Sequence, residues 1–138
     1  MATTIVRGRP GFVALLHAAT LAGASALFVC TLLADYAYWT SFQIDWSNFA
    51  SWLLIGAMLL ASLALLCEFI APVGGRRRVA YLLLLAAIWG VGFFDALHHA
   101  RDAFAIMPVA LVLSAIVTVL ALLATSIAFA ALRAGGAR

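Results

Sequence analysis

The segment DALHHARD, residues 95–102, concentrates ionisable side chains in a chain that contains few of them. Two adjacent histidines, His98 and His99, lie between Asp95 and Asp102. If the segment is helical, Asp95, His99 and Asp102 share one face at i, i+4 and i+7. Such a face can hold a divalent ion, relay a proton or dock a partner, whereas an ordinary helix end leaves the same groups solvated. Because no further spaced ligand motif accompanies the pair of histidines, the sequence predicts no metal site.

The composition indicates what kind of molecule must position these groups. Hydrophobic residues make up 67% of the 138 residues and charged residues 9%, and all eight basic residues are arginine. Soluble domains carry about 25% charged residues, so this is the composition of an integral membrane protein. The net charge of +3 then reflects membrane topology and not a nucleic-acid partner. No nucleophile elbow, glycine-rich phosphate loop or HExxH motif is present. We therefore predict that the chain is not itself an enzyme, although it could be a subunit of an oxidoreductase complex.

Four apolar stretches are long enough to cross a bilayer, which takes about 20 mostly apolar residues. They are residues 12–34, 49–71, 79–97 and 108–132. Short connections between them favour antiparallel packing of sequence neighbours. The sequence therefore predicts an all-α integral membrane bundle of four transmembrane helices in up-down-up-down order, with residues 1–138 as a single transmembrane domain. Small residues within the spans, among them Gly90 and Gly92, are expected to let helix backbones approach closely.

The arginines predict the orientation of the bundle. Seven of the eight lie before span one, between spans two and three, or after span four: Arg7, Arg9, Arg76, Arg77, Arg78, Arg133 and Arg138. With four spans, these three segments share one side of the membrane. The positive-inside rule assigns that side to the cytoplasm. We therefore predict a multi-pass protein of the bacterial inner (cytoplasmic) membrane with both termini cytoplasmic.

The opposite, outer side receives acids, histidines and aromatic residues. The predicted loop DYAYWTSFQIDWSN, residues 35–48, is rich in aromatic side chains, which is also typical of a belt at the headgroup level. Fixed charges beside rigid aromatic side chains favour contact with a partner protein. The predicted docking residues on this side are Asp35, Trp39, Asp45, Trp46, Asp95, His98, His99 and Asp102.

Two ionisable residues, His17 and Glu68, lie inside spans one and two at similar depth. Ionisable residues within spans usually face the bundle interior and pair, so we predict a hydrogen bond or ion pair between them. The alternative is that Glu68 extends towards Arg76–Arg78. His17 and the pair His98 and His99 are predicted at opposite membrane faces, too far apart to ligate one haem. We therefore predict no cofactor with the single chain; haem b or quinone would have to be shared with a partner chain.

Four stretches carry a resemblance to a known family. They are LLADYAYWT, NFASWLLIGA, FFDALHHARDAF and PVALVLSAIVTVL, which together cover most of residues 30–120. In this order they resemble a small bacterial four-helix membrane family, a domain of unknown function, whose members look like companions of respiratory and quinoprotein redox proteins. Some members are joined to Rieske-type domains. Where the family has a histidine-proline pair before span one, this chain reads RGRPGFVALLHAAT. The matching positions are Asp35, Trp39, Asp95, His98 and Asp102.

These observations give two functional expectations. The first is a non-catalytic accessory or anchor subunit of a larger bacterial membrane complex, which the resemblance implies is a respiratory electron-transfer complex. Its partners would be the lipid bilayer and other subunits of that redox complex. The alternative is a small membrane electron carrier that binds haem b or quinone. A visible absorption band in the isolated protein would distinguish the carrier from the subunit.

Overall fold

Four long helices make up most of the computed structural model, which describes residues 11–72 and 78–135. The helices are α1 (Phe12–Ser41), α2 (Ile44–Ile70), α3 (Arg78–His99) and α4 (Val109–Gly135), with one turn of 3-10 helix at Ala103–Ala105 between α3 and α4. All four are long and apolar enough to cross a membrane, and the described residues contain no strand. The predicted all-helical class and the predicted number of spanning helices are thus confirmed.

The predicted loop over residues 35–48 is wrong, because nearly all of it is helical. Helix α1 continues to Ser41 and α2 begins at Ile44, which leaves only Phe42 and Gln43 between them. Phe42 adopts a left-handed conformation with φ 53°, and its N–H donates to the carbonyl of Tyr38 at 2.7 Å. The segment contains neither glycine nor proline, and a continuing helix satisfies its own backbone groups close to the membrane. These extra turns place Asp35 and Tyr38 on the same helix as the apolar core.

The end of α3 separates residues that the sequence analysis placed on one face. The helix stops at His99, and the side chain of Asp102 instead accepts a hydrogen bond from the N–H of Phe104 at 3.1 Å. The Tyr38 hydroxyl donates to the carbonyl of Ala103 at 2.9 Å and attaches this turn to α1. The i+7 relation between Asp95 and Asp102 requires a continuous helix, so the predicted common face of these two carboxylates is wrong.

Small residues fill the interior of the bundle, whereas many large apolar side chains point outwards. The fully buried alanines come from α1, α2 and α4: Ala24, Ala50, Ala57, Ala64, Ala110, Ala121, Ala124 and Ala128. Among the exposed side chains are Leu33, Leu59, Leu83 and Phe94, each more than 60% exposed. Lipid solvates large apolar surfaces, so close backbone approach between small residues, and not removal of apolar area from water, holds such helices together.

The helices pack in a ring in which α1 contacts α2 and α4, and α3 contacts the same two. Hydroxyl groups reinforce the α1–α4 contact. The Thr118 hydroxyl donates to the carbonyl of Phe28 at 3.1 Å, and Ser25 and Thr125 share a hydrogen bond of 2.8 Å. The diagonal pair, α1 and α3, is joined by polar side chains near both ends, and these contacts form the sites described below.

Two glycines of α3 give a matched test of the α2–α3 contact. A Cβ added at Gly92 would collide with the sulfur of Met58, whereas a Cβ at Gly90 would have nothing within 4 Å. We expect Gly92→Leu to lower the free energy of unfolding by about 1–3 kcal/mol, because it forces the two helices apart. Gly90→Leu should cause no loss, because its side chain enters open space. Denaturant unfolding in mild detergent, followed by circular dichroism, measures both; equal effects would contradict the packing described here.

Candidate functional site

A cluster of four buried polar side chains joins three helices at the end of the bundle where α1 ends. We call it the polar centre: Asp35 of α1, Asp95 and His99 of α3, and Ser114 of α4. The two aspartates and Ser114 are fully buried, and the His99 side chain is only 2% exposed. Ionisable groups in the interior of membrane bundles are costly and are typical of functional sites. The polar centre is therefore the principal candidate site.

The imidazole of His99 is held between the two carboxylates. Its Nδ1–H donates to the backbone carbonyl of Asp95 at 3.0 Å and lies 3.2 Å from Asp95 Oδ1. Because a carbonyl oxygen can only accept, Nδ1 must carry a hydrogen. The other ring nitrogen, Nε2, lies 2.9 Å from Asp35 Oδ1, and a proton carried by Nε2 makes the pair an imidazolium and a carboxylate. The backbone contact fixes the ring orientation and directs Nε2 towards α1.

The Ser114 hydroxyl lies between the same two carboxylates. It is within hydrogen-bonding distance of Asp35 Oδ2, and its Oγ lies 2.9 Å from Asp95 Oδ2. A hydroxyl has one hydrogen to donate, so it satisfies only one of these two oxygens at a time. The remaining carboxylate oxygen, Asp95 Oδ1, is buried, makes no hydrogen bond and has only the ion-pair contact with His99 Nδ1 at 3.2 Å. The polar centre thus has more acceptor atoms than its own hydrogens can satisfy.

Helical periodicity explains why each side chain reaches the interior. On α1, Asp35 follows the buried residues Phe28 and Thr31 and precedes Tyr38, with spacings of three and four. On α4, Ser114 occupies one position of a buried stripe that is otherwise mostly alanine: Ala110, Ser114, Val117, Ala121, Ala124 and Ala128. Asp95 and His99 are one turn apart at the end of α3. The polar centre therefore continues the core stripes of three helices.

The structure divides the eight predicted docking residues into three groups. Asp35, Asp95 and His99 lie in the bundle interior and come together with Ser114. Those with exposed side chains are Trp39, Asp45, Trp46 and Asp102. His98 is partly exposed, and its Nε2 atom is buried without a hydrogen-bond partner. Three residues predicted for an external surface thus lie inside, because α1 extends past residue 34 and covers them.

A second buried polar cluster lies near the start of α1. His17 Nδ1–H donates to the carbonyl of Ala64 at 2.8 Å, and the Tyr81 hydroxyl, 2.7 Å from Nε2, donates to it. Both ring nitrogens therefore bond groups other than Glu68, and the predicted hydrogen bond between His17 and Glu68 is replaced by one from α3. Glu68 is fully buried on α2, one turn beyond Ala64. Its predicted alternative contacts Arg76 and Arg77 lie outside the described residues.

Removing the Tyr81 hydroxyl tests this second cluster. In Tyr81→Phe, Nε2 of the buried His17 loses its donor, and we expect the free energy of unfolding to fall by about 1–3 kcal/mol. Tyr36→Phe is the control, since the Tyr36 side chain on α1 is 59% exposed. Denaturant titration in detergent compares the two variants. An unchanged midpoint for Tyr81→Phe would show that the hydroxyl is not the donor to His17.

Ser114 and Tyr81, the two partners that complete these clusters, were not among the site residues predicted from the sequence. Tyr81 has a detectable signal, because it lies in the first turn of span three, at the depth predicted for His17 and Glu68. Ser114 has a weaker one, as a polar residue within a stripe of small residues. Each joins its cluster through a contact between helices that are far apart in sequence, and spacing along one helix does not reveal such contacts.

Haem ligation by two histidines of one chain does not fit this arrangement. Tyr81 of α3 bonds His17 of α1, so these two residues lie at the same depth. His99 lies 18 residues beyond Tyr81 on α3, which is about 27 Å at the helical rise. The ring nitrogens of both histidines already have protein partners. One porphyrin cannot span these two positions.

Comparisons of the chain with protein-family models, with curated proteins and with solved structures found no match.

Proposed function

We propose that this chain is a non-catalytic accessory or anchor subunit of a larger complex in the bacterial inner membrane. The observation that carries the proposal is an aromatic-rimmed apolar groove on the outer surface of the α1–α2 pair. Its walls are Cys30, Leu33, Ala34, Ala37, Trp46 and Phe49. The rings of Trp46 and Phe49 meet edge to face with centroids 6.4 Å apart. Rigid aromatic side chains beside small residues provide a surface against which a helix of another subunit can pack.

The charge pattern supports the proposed orientation, with up-down-up-down helices and both termini cytoplasmic. Arg78 at the start of α3 and Arg133 near the end of α4 are exposed. The other basic residues assigned to that side, Arg7, Arg9, Arg76, Arg77 and Arg138, lie outside the described residues. The positive-inside rule makes this side cytoplasmic, so the groove and the polar centre lie towards the outer side.

The assignment to a respiratory electron-transfer complex rests on the resemblance of residues 30–120 to companions of redox proteins. Exposed Asp45 lies next to Trp46 in the chain, and exposed Asp102 lies in the connection between α3 and α4, so both add negative charge at the end of the bundle where the groove lies. Such charges favour a partner surface of complementary sign and steer its approach.

Affinity purification of a tagged copy from its native membrane in mild detergent tests the proposal. We expect stoichiometric oxidase, dehydrogenase or cytochrome subunits to copurify. Trp46→Ala should weaken that association because Trp46 lines the groove. Trp52→Ala, a change of the same size at a side chain 73% exposed outside the groove, should not.

Two results would contradict the accessory role. Purification of the protein without any partner subunit, in detergents that preserve known membrane complexes, would contradict the proposed accessory role. A visible absorption band in the isolated chain would instead support the electron-carrier alternative. Equal losses for Trp46→Ala and Trp52→Ala would leave the subunit role intact and exclude the groove as its contact surface.

A further inference from the structure

When its side chains are ionised, the polar centre carries one more negative charge than positive charge. With Nδ1 and Nε2 of His99 both protonated, the imidazolium contributes one positive charge against two from the carboxylates of Asp35 and Asp95. A net negative charge then remains among atoms that are almost fully buried. Burying an uncompensated charge costs several kcal/mol, so the polar centre must either take up a further proton or bind a cation.

The hydrogen bonds of the polar centre show which carboxylate oxygens are left for a proton or a cation to bind. The single Ser114 hydrogen cannot serve both Asp35 Oδ2 and Asp95 Oδ2, and Asp95 Oδ1 makes no hydrogen bond, its one polar contact being His99 Nδ1 at 3.2 Å. An extra proton on Asp95 Oδ2 would resolve the first conflict and balance the charge. It would leave Oδ1 unsatisfied. A metal ion accounts for both the excess negative charge and the unbonded oxygen, because it adds positive charge and can take Oδ1 as a ligand.

The donor set matches the preferences of first-row transition metals. Asp35, Asp95 and His99 each offer one ligand atom, and these atoms lie within 4.8 Å of one another. Zn²⁺ binds imidazole nitrogen at about 2.0–2.1 Å and carboxylate oxygen at about 2.0–2.2 Å, so two ligand atoms on one ion are separated by at most about 4.4 Å. Small side-chain rotations suffice to close the set. One imidazole with two carboxylates favours Zn²⁺ or Mn²⁺ over Ca²⁺ or Mg²⁺, which prefer oxygen alone.

The surroundings of His99 also resemble those of a metal-binding histidine. Such histidines donate the ring N–H that faces away from the metal to a carbonyl or carboxylate, which fixes the ring. Here Nδ1–H donates to the carbonyl of Asp95, and Nε2 points at the Asp35 carboxylate. Loss of the Nε2 proton to solvent would free this nitrogen for a metal ion. The site would then hold two positive and two negative charges.

We propose that the polar centre binds one divalent transition-metal ion through Asp35, Asp95 and His99, with the Ser114 hydroxyl orienting the carboxylates. The three ligands come from α1 and α3, the diagonal pair of the bundle, so the ion would also fix these helices to each other. This inference goes beyond the subunit role and is independent of it, since a metal site can form in a chain with or without partners.

Metal analysis of the purified full-length chain tests the site. The protein is treated with a chelator, dialysed, and titrated with ZnCl₂ and separately with MnCl₂. We expect stoichiometric uptake, measured by elemental mass spectrometry, and a higher unfolding temperature in the metal-bound form. Ser114→Ala should bind the ion about 10- to 100-fold more weakly, because partners that orient metal ligands contribute on that scale.

Matched variants separate the polar centre from other acids and histidines at this end. Asp95→Asn and His99→Gln should reduce uptake to background. Asp102→Asn and His98→Gln, at an exposed aspartate and at the adjacent histidine, should retain it. Circular dichroism and gel filtration establish that each variant is folded. If the ligand variants do not fold, the Ser114→Ala affinity and the chelator-treated native protein still decide the outcome.

Three results would overturn the proposal. Native protein that takes up neither Zn²⁺ nor Mn²⁺ and shows no thermal shift would refute metal binding. An infrared band of a protonated carboxyl that persists at saturating metal and disappears in Asp95→Asn would assign the missing charge to a proton. Uptake that survives Asp95→Asn but disappears in His98→Gln would move the site to the surface.

Discussion

Replacing His99 with leucine is expected to lower the free energy of unfolding by about 3–5 kcal/mol, the largest effect of any single change considered. The substitution removes the only cationic side chain among the described residues that lies between the Asp35 and Asp95 carboxylates. Two buried acids then face one hydroxyl, with no countercharge and no water to solvate them. Denaturant titration in mild detergent, with the chelator-treated protein as reference, gives the difference without a contribution from bound metal.

Two companion variants make this result interpretable. His98→Leu changes the adjacent histidine, whose ring lies outside the polar centre, and we expect only a small effect. Replacing Asp35, Asp95 and His99 together with leucine should recover much of the lost stability, because an apolar set of similar volume carries no buried charge. A triple variant as unstable as His99→Leu would show that packing volume, and not charge, dominates at this position.

The second largest effect is expected for Ser114→Ala. Its hydroxyl donates to a carboxylate, and such charge-assisted hydrogen bonds contribute about 1.5–3 kcal/mol, so we expect a loss of that size. Ser126→Ala is the matched control on the same helix, because the Ser126 hydroxyl is exposed and donates only to the carbonyl of Leu122, one turn earlier. Thermal unfolding in detergent measures both. Equal midpoints for the two variants would rule out a structural contribution of Ser114 to the polar centre.

The two buried clusters have one structural effect in common. Near the start of α1, His17 is joined to Tyr81 of α3, and near its end Asp35 is joined to His99 of the same helix. Most contacts of the bundle run between neighbouring helices of the ring, and these two polar contacts join the diagonal pair near both of its ends. The contacts differ in charge. The first joins an imidazole to a phenol hydroxyl, whereas the second joins an imidazole to two carboxylates, which is why only the second is proposed as a metal site.

The outward position of large side chains bears on the choice between lipid and protein contacts. Most exposed apolar side chains of α2, α3 and α4 are aliphatic or single aromatics that lipid chains cover equally well. The groove on the α1–α2 pair differs because it is lined by small residues, Ala34 and Ala37, together with Trp46 and Phe49. A recess of this kind admits a protruding side chain of a partner helix. It is therefore the surface on which the subunit proposal can be tested by mutation.

The amino-acid sequence by itself determined the class of this protein. Long apolar runs interrupted by few charges can satisfy their backbone groups in a membrane only as helices, so the number of helices and their approximate centres followed from composition and length. The distribution of arginine gave an expected orientation by a rule that operates on sequence alone. The positions of the helix ends could not be predicted as well. The charged and aromatic residues around Asp35 and Tyr38 are typical of a water-exposed connection, whereas both residues belong to α1.

Only the tertiary structure decided which polar residues meet. Asp35 and His99 are 64 positions apart, and Asp35 and Ser114 are 79 apart. Spacing within α3 correctly associated Asp95 with His99, but it could not add a carboxylate from α1 or a hydroxyl from α4. The same holds for His17, whose ring bonds Tyr81 of α3 in place of the predicted Glu68. Periodicity specifies which face of a helix is buried, whereas the rotation and depth of one helix against another depend on how the small residues of all four pack.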